Sequence, residues 1–279
     1  MVETAGKVNI FMLGKKRAAS VGTICISAML IQIYEIQTLQ EAQLMVDIGV
    51  DHVGSVLVSS ETWKHVELKK AIQRVQSLGC RSSLIPLFED IDAICRAIDF
   101  YRPDIVHFCE ALVPHGTELY GLDPVLGRQN TIRERYPGVD LMRSIPIGLP
   151  GFGNHVPSLS IAALFEPISD WFLTDTLLGG GCSHPAPDQP VQGYVGITGR
   201  RCDWRIARAL VQQSNIPVIL AGGIGPENVA DGIAQVRPAG VDSCTLTNRV
   251  NGEGQVIRFQ KDPDKVKALV ENAHRAGLH

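Results

Sequence analysis

Eight short apolar runs alternate strictly with eight amphipathic stretches along the chain, and this alternation leaves few folds open to it. The strand-like runs fall at 29–34, 52–58, 82–87, 105–109, 141–147, 171–175, 217–221 and 241–245. The helical patterns fall at 38–48, 63–78, 91–100, 123–136, 158–165, 203–214, 226–235 and 262–276. Strands separated by helices cannot form hairpins, so they predict a parallel sheet covered by helices. Eight such units are also the number that closes a (β/α)8 TIM barrel. The competing doubly wound sheet would place a glycine-rich nucleotide turn after its first strand, and "YEIQTLQ" has no glycine there. The expected fold class is therefore α/β, a TIM barrel.

Local signals agree. Thr38 is placed to cap a helix that stops at Gly49, Pro226 suits a first helical turn, and Asp262-Pro263 opens a last helix that closes on Gly277. The 279 residues divide into an irregular N-terminal extension, 1–26, and a barrel domain, 27–279. "GKKRAASVGTICISAMLIQIYEI" puts three cations before an apolar run, but no small-residue cleavage site follows and Gln32 interrupts it. The run is also too broken for a membrane span.

With a formal net charge of -3 and no basic cluster, neither nucleic acid nor a membrane surface is an expected partner. Seven cysteines, at 25, 80, 95, 109, 182, 202 and 244, include no CxxC pair and fit reduced thiols in a cytoplasmic protein. Cys182 and His184 supply two ligands where a structural zinc needs four, and no strand end carries an H-x-H pair. No metal and no cofactor are expected.

Barrel active sites form at the C-terminal ends of the strands. Tyr34, Glu35, Ser59, Glu89, Glu110, Asp175, Gly222, Gly223 and Thr245 lie at or near those ends. In "IPVILAGGIGPENV" a buried strand runs into Gly222-Gly223, where the backbone can approach an anion or merely turn. The next strand, "GVDSCTLTN", ends on Cys244 and Thr245, and loops after strands seven and eight commonly cradle phosphate in barrels. Gly222, Gly223, Cys244 and Thr245 are the expected phosphate contacts. "GYVGITGRRCDW" adds Gly196, Thr198 and Gly199, with Arg200 and Arg201 either pairing with an anion or facing solvent.

The segments "DWFLTDT", "GITGRRCDW", "PVILAGGIGPENVADGIAQVRPAGVD" and "KDPDKVKALV" resemble phosphoribosylanthranilate isomerase, a (β/α)8 enzyme of tryptophan biosynthesis. The resemblance spans residues 29–276 and is strongest from 171 onward. It implies an Amadori rearrangement of a phosphorylated aminoaldose to an aminoketose. An aspartate serves as general acid toward the ring oxygen, and a cysteine as general base toward C2. Asp175 matches the aspartate, and strand alternation sets it on the same face as Trp171 and Leu173.

Several positions depart from the family's pattern. Its strand one reads Lys-Ile-Cys-Gly-Ile-Thr. Here Gln32 takes the lysine's place, Tyr34 that of the cysteine base and Glu35 that of the glycine. A phenol titrates near ~10 against ~8.5 for a thiol, which makes Tyr34 a weaker base. After strand four His107, Cys109 and Glu110 replace the family's glutamine, histidine and glycine, and Cys244-Thr245-Leu246 replace Ser-Ser-Gly. Lys64 is the nearest cation where the family carries an arginine. Glu110 and Asp175, on one rim, form a conceivable acid/base pair, or Glu110 is a solvated loop residue. The expected function is an isomerase acting on a small phosphorylated sugar derivative, with Asp175 as acid and Tyr34 in the base position. The alternative is a phosphate-ligand-binding barrel without the isomerase base. The long "LLGGGCSHPAPDQPVQGY" loop is either a lid or disordered.

Overall fold

The computed structural model describes residues 29–112, 119, 121–178 and 190–278. The extension 1–26, the Cys182–His184 pair and most of the 177–195 loop lie outside them. Eight strands close a parallel barrel in sequence order: β1 (Leu30–Ile33), β2 (His52–Leu57), β3 (Arg81–Pro86), β4 (Ile105–Phe108), β5 (Asp140–Ile147), β6 (Trp171–Thr176), β7 (Val218–Leu220) and β8 (Gly240–Ser243). Closure is made by β8 against β1, with Gln32 opposite Asp242 and Ile33 opposite Ser243. The helices α1 (Leu39–Ile48), α2 (Val66–Ser77), α3 (Ile91–Tyr101), α4 (Asp123–Arg135), α5 (Ser158–Phe165), α6 (Trp204–Gln213), α7 (Val229–Val236) and α8 (Pro263–Gly277) lie between and after the strands.

The helix ends follow from side-chain chemistry. Thr38 accepts from the Glu41 amide at the start of α1, and Gly49 ends that helix in the left-handed region with φ 103°. Asp262 caps α8 ahead of Pro263. Two helices begin three residues later than the pattern predicts. The Tyr101 hydroxyl accepts from the His65 amide and donates to the Trp63 carbonyl, fixing the chain ahead of α2 in a non-helical turn. Before α7, Asn228 accepts from the Gly225 amide and donates to the Gly223 carbonyl, bracing 223–228 as a turn.

Outside the alternation stands an antiparallel hairpin of β9 (Asn248–Val250) and β10 (Val256–Lys261), inserted between β8 and α8. Apolar helix faces pack on the outside of the barrel, for example Met45, Leu269 and Val266 over β1. The interior is mixed. Ile105, Met142, Leu173 and Ile219 fill it together with Tyr34, and Gln32, His52, Ser83, His107, Ser144 and Asp242 are buried polar residues.

Candidate active site

Two cavities open at the C-terminal end of the barrel and share Asp175, Ile197, Asp242 and Cys244 in their walls. They are lobes of one mouth. The first, about 320 Å³, is lined by Gly199, Gly222, Gly223, Thr245 and Leu246 among others. The second, about 480 Å³, is lined by Tyr34, Val56, Ile85, Leu87, His107 and Cys109 among others. The pairing of a small glycine-lined lobe with a largely apolar one suits a ligand with a compact anionic end.

All four residues expected to contact phosphate line the first lobe. The glycines are also required by packing. Gly222 and Gly223 have φ of 83° and 68°. A Cβ on Gly223 would stand 2.5 Å from the Arg200 and Arg201 backbone, and one on Gly222 would stand 2.5 Å from Thr176 Oγ1. The loop after β7 therefore rests directly on the loop after β6, which only glycine permits. Arg201 does not reach the cavity. Its guanidinium lies over the Trp204 ring at 4.6 Å, and Arg200 is exposed.

Asp175 joins the two lobes. Its Oδ1 accepts from the Thr176 amide at 2.8 Å. Gly196 approaches so closely that a Cβ there would stand 2.1 Å from Asp175 Oδ2. Burial pushes the Asp175 carboxyl up to about 7, against the opposing effect of the Thr176 amide. A carboxyl titrating there holds a proton for part of the time at neutral pH and gives it up readily.

A second carboxyl, Asp242, lines both lobes. Burial raises its pKa to about 8. The Gln32 bond opposes this, while Asp175 adds to it and Lys261 subtracts. The Gln32 amide donates to Asp242 Oδ1 at 3.2 Å, and Gln32 Oε1 lies 3.2 Å from His52 Nδ1. Asp242 lies within β8 rather than beyond its end, where the sequence draws attention first. Its signal was available, because alternation back from Cys244 puts 242 on the same face.

Tyr34 is buried, with its hydroxyl 2.5 Å from Ser83 Oγ and 2.7 Å from His107 Nδ1. His107 Nε2 lies 2.8 Å from Ser144 Oγ. Burial holds the phenol well above its usual range and lowers His107 to about 3, with Arg143 adding to the latter effect. A neutral imidazole has one donor and one acceptor nitrogen, so it completes the chain without a net charge. The Tyr34 ring lies over Gly54, where a Cβ would be 2.1 Å from ring carbon Cδ1.

The other acids at strand ends have structural partners. Glu35, with φ 66°, accepts from Arg258 Nε at 2.8 Å and Nη2 at 2.5 Å. Glu110 is neither solvated nor turned toward Asp175. It is buried in an ion pair with Arg143, itself fully buried, and a second with Arg128 at 3.2 Å. Cys109 lines the cavity in its stead.

Residues 177–272 match the family described as N-(5'phosphoribosyl)anthranilate (PRA) isomerase. An N-(5'-phosphoribosyl)anthranilate isomerase 1 of Methanosarcina mazei is 34% identical over 233 residues, covering 82% of this chain and 87% of that protein. The chain belongs to the phosphoribosylanthranilate isomerase family. A phosphoribosylanthranilate isomerase of Methanocella arvoryzae is 31% identical over 142 residues, or 51% of this chain, and the match spans 57% of that relative. A second M. mazei isomerase is matched over 51% of its length. The solved phosphoribosylanthranilate isomerase of Thermus thermophilus shares the fold with a TM-score of 0.59 at 18% identity, covering 90% of this chain and 100% of that one. The closed eight-stranded barrel is thus the family's fold.

Proposed function

We propose that this protein is an isomerase that converts a phosphorylated aminoaldose to the corresponding aminoketose, in the manner of its family and in tryptophan biosynthesis. Asp175 supplies the proton that opens the sugar ring. The loops carrying Gly222, Gly223, Cys244 and Thr245 hold the phosphate. The observation that carries this reading is the position of Asp175, a desolvated carboxyl in the wall shared by the glycine-lined lobe and the apolar lobe. A relative of known structure was solved with reduced 1-(o-carboxyphenylamino)-1-deoxyribulose 5-phosphate, a ligand with one phosphate end and one aromatic end. The two lobes differ in the same sense. Five free thiols among the described residues support a reducing, cytoplasmic setting, and no described helix is long and apolar enough to cross a membrane.

Tyr34 specifically favours a second reading. A phenol fixed between Ser83 and His107, where a mobile base is wanted, suits a barrel that binds a phosphorylated metabolite without turning it over. Growth of a tryptophan auxotroph lacking this isomerase separates the two. Rescue by the wild-type chain, lost with Asp175→Asn, is the expected result. A well-folded, well-expressed chain that fails to rescue, and fails to consume N-(5'-phosphoribosyl)anthranilate in vitro, refutes the isomerase reading.

A further inference from the structure

An isomerisation that moves a C2 proton needs an acceptor as well as the Asp175 donor, and most basic groups in the cavity wall are otherwise engaged. Tyr34 is held by Ser83 and His107. His107 has both nitrogens in contact, with Tyr34 and Ser144. Glu35 is paired with Arg258. Burial holds the Cys109 and Cys244 thiols well above their usual range, which for a thiol already begins above neutrality. Asp242 differs from all of these. It lines both lobes beside Asp175, no ion pair engages it among the described residues, and its one side-chain bond is from the neutral amide of Gln32. It stands on β8, next to β1, one strand from the place that the family resemblance assigns to the base.

We propose that Asp242 is the general base of the reaction, removing the C2 proton after Asp175 has protonated the ring oxygen. This rests on the isomerase reading above. Asp175 gives its proton to the ring oxygen as the C1–O bond breaks, and the nitrogen lone pair forms the C1=N iminium. Asp242 then takes the C2 proton. The C2–H electron pair forms C1=C2, and the iminium π pair returns to nitrogen. The enaminol becomes the aminoketose when O2 loses a proton and C1 gains one, so no atom or electron is lost. The carboxyl pair holds one proton before and after these transfers. Two carboxyls in one desolvated site favour that singly protonated state, because the first charge opposes the second; the proton is shared by the pair, and the form that reacts is the one with Asp175 protonated and Asp242 ionised. The titratable groups facing Asp242 are Asp175 from β6, Lys261 from β10, Tyr34 at the end of β1 and Cys244 at the end of β8.

The test uses the full chain with N-(5'-phosphoribosyl)anthranilate as substrate. Asp242→Asn keeps an acceptor oxygen for Gln32 and should lower kcat by about 10²–10⁴-fold. Calorimetric binding of the reduced carboxyphenylaminodeoxyribulose phosphate should stay within about threefold of wild type, as expected when only transition-state stabilisation is lost. Gln32→Lys restores the cation of the family's first strand next to Asp242. It should move the acidic limb of the kcat/KM profile to lower pH, an effect a merely structural role does not produce. If Asp242→Asn fails to fold, the Gln32→Lys profile decides alone. An active wild type with Asp242→Asn still near full kcat, or an unmoved limb in Gln32→Lys, overturns the assignment and leaves the isomerase reading standing. A wild type that never consumes the substrate overturns both.

Discussion

The ion pair between Glu35 and Arg258 ties the inserted hairpin to the mouth of the barrel, and removing it has a calculable cost. Glu35 is 1% exposed, whereas the Arg258 side chain is 36% exposed. The carboxylate also accepts from the Phe259 amide at 3.3 Å and from Asn248 Nδ2 at 3.4 Å. Breaking a buried pair costs about 3–5 kcal/mol. Here Arg258 regains water once its partner is gone, so Glu35→Ala is expected at the lower end, about 3 kcal/mol. Glu35 also holds φ 66°, a left-handed conformation that costs a side-chain-bearing residue roughly 1–2 kcal/mol. Glu35→Gly loses the same contacts but releases that strain, so it should be less damaging than Ala by about 1 kcal/mol. For a barrel of this size 1 kcal/mol is about 2–4 °C in Tm, giving drops of roughly 6–12 °C for Ala and 4–8 °C for Gly. Calorimetry on both variants, with Arg258→Ala and the double substitution, completes a cycle whose expected coupling is about 2 kcal/mol. The sign with pH is fixed too. Burial pushes the Glu35 pKa up, but Arg258 and Lys261 together bring it below its ordinary value. Its stabilisation is therefore present above the unfolded pKa near ~4.3 and fades as pH falls through the folded value. A coupling near zero, or Gly no better than Ala, refutes this account of position 35.

Three other outcomes follow from the site. Asp175 has a raised pKa, about 7, so between about 4 and 7 the folded state keeps a proton that the unfolded state loses, and stability falls as pH rises. Asp175→Asn removes this cost: in urea titrations it should be roughly 2–4 kcal/mol more stable than wild type at pH ~8 and equal to it near pH ~4. Gly223→Ala meets the Arg200–Arg201 backbone at 2.5 Å with φ 68° and should cost about 2 kcal/mol or more by denaturant unfolding, with weaker binding of inorganic phosphate. Tyr34→Phe leaves His107 and Ser83 short of a partner and should cost about 1–3 kcal/mol in stability. Its kcat should nevertheless stay within about threefold, far less than the loss of a general base produces.

The barrel was legible because its information is local and periodic. Each of the eight strands begins and ends within about two residues of the expected span, since apolar runs bounded by turn residues survive in any tertiary context. Helix starts were less legible where a distant group decides them, as the Tyr101 hydroxyl does for α2. The hairpin of β9 and β10 is less legible because it breaks the alternation, although "NGEG" between its arms is a turn signal. In the site, alternation along β6 set Asp175 on the face shared with Leu173, and both line the cavity. The fates of Glu35 and Glu110 were not legible. Their partners Arg258 and Arg143 lie 223 and 33 residues away, and nothing local distinguishes a paired carboxylate from a poised one.

Several positions expected from the resemblance to depart from the family pattern are bonded within the mouth, and this bears on what happened to the site. Tyr34, in the cysteine's place, meets His107, in the glutamine's place. Gln32, in the lysine's place, bonds Asp242. Glu35, in the glycine's place, is matched by Arg258 from the hairpin that follows the altered end of β8. Random decay of a disused site would leave buried polar groups without partners, each costing about 1–3 kcal/mol. Among the described residues the buried side-chain atoms lacking a partner belong to Gln37, Arg128, Arg143 and Trp204, so Gln37 is left with an unpaired oxygen while Gln32, Tyr34, Glu35 and His107 are not. Gln32, Tyr34, His107 and Glu35 are each satisfied by another residue, and these four make a coherent polar structure at the mouth. A mouth kept coherent while Asp175 and Asp242 remain desolvated retains a destabilising feature, two carboxyls away from water, that a purely structural barrel has no reason to keep.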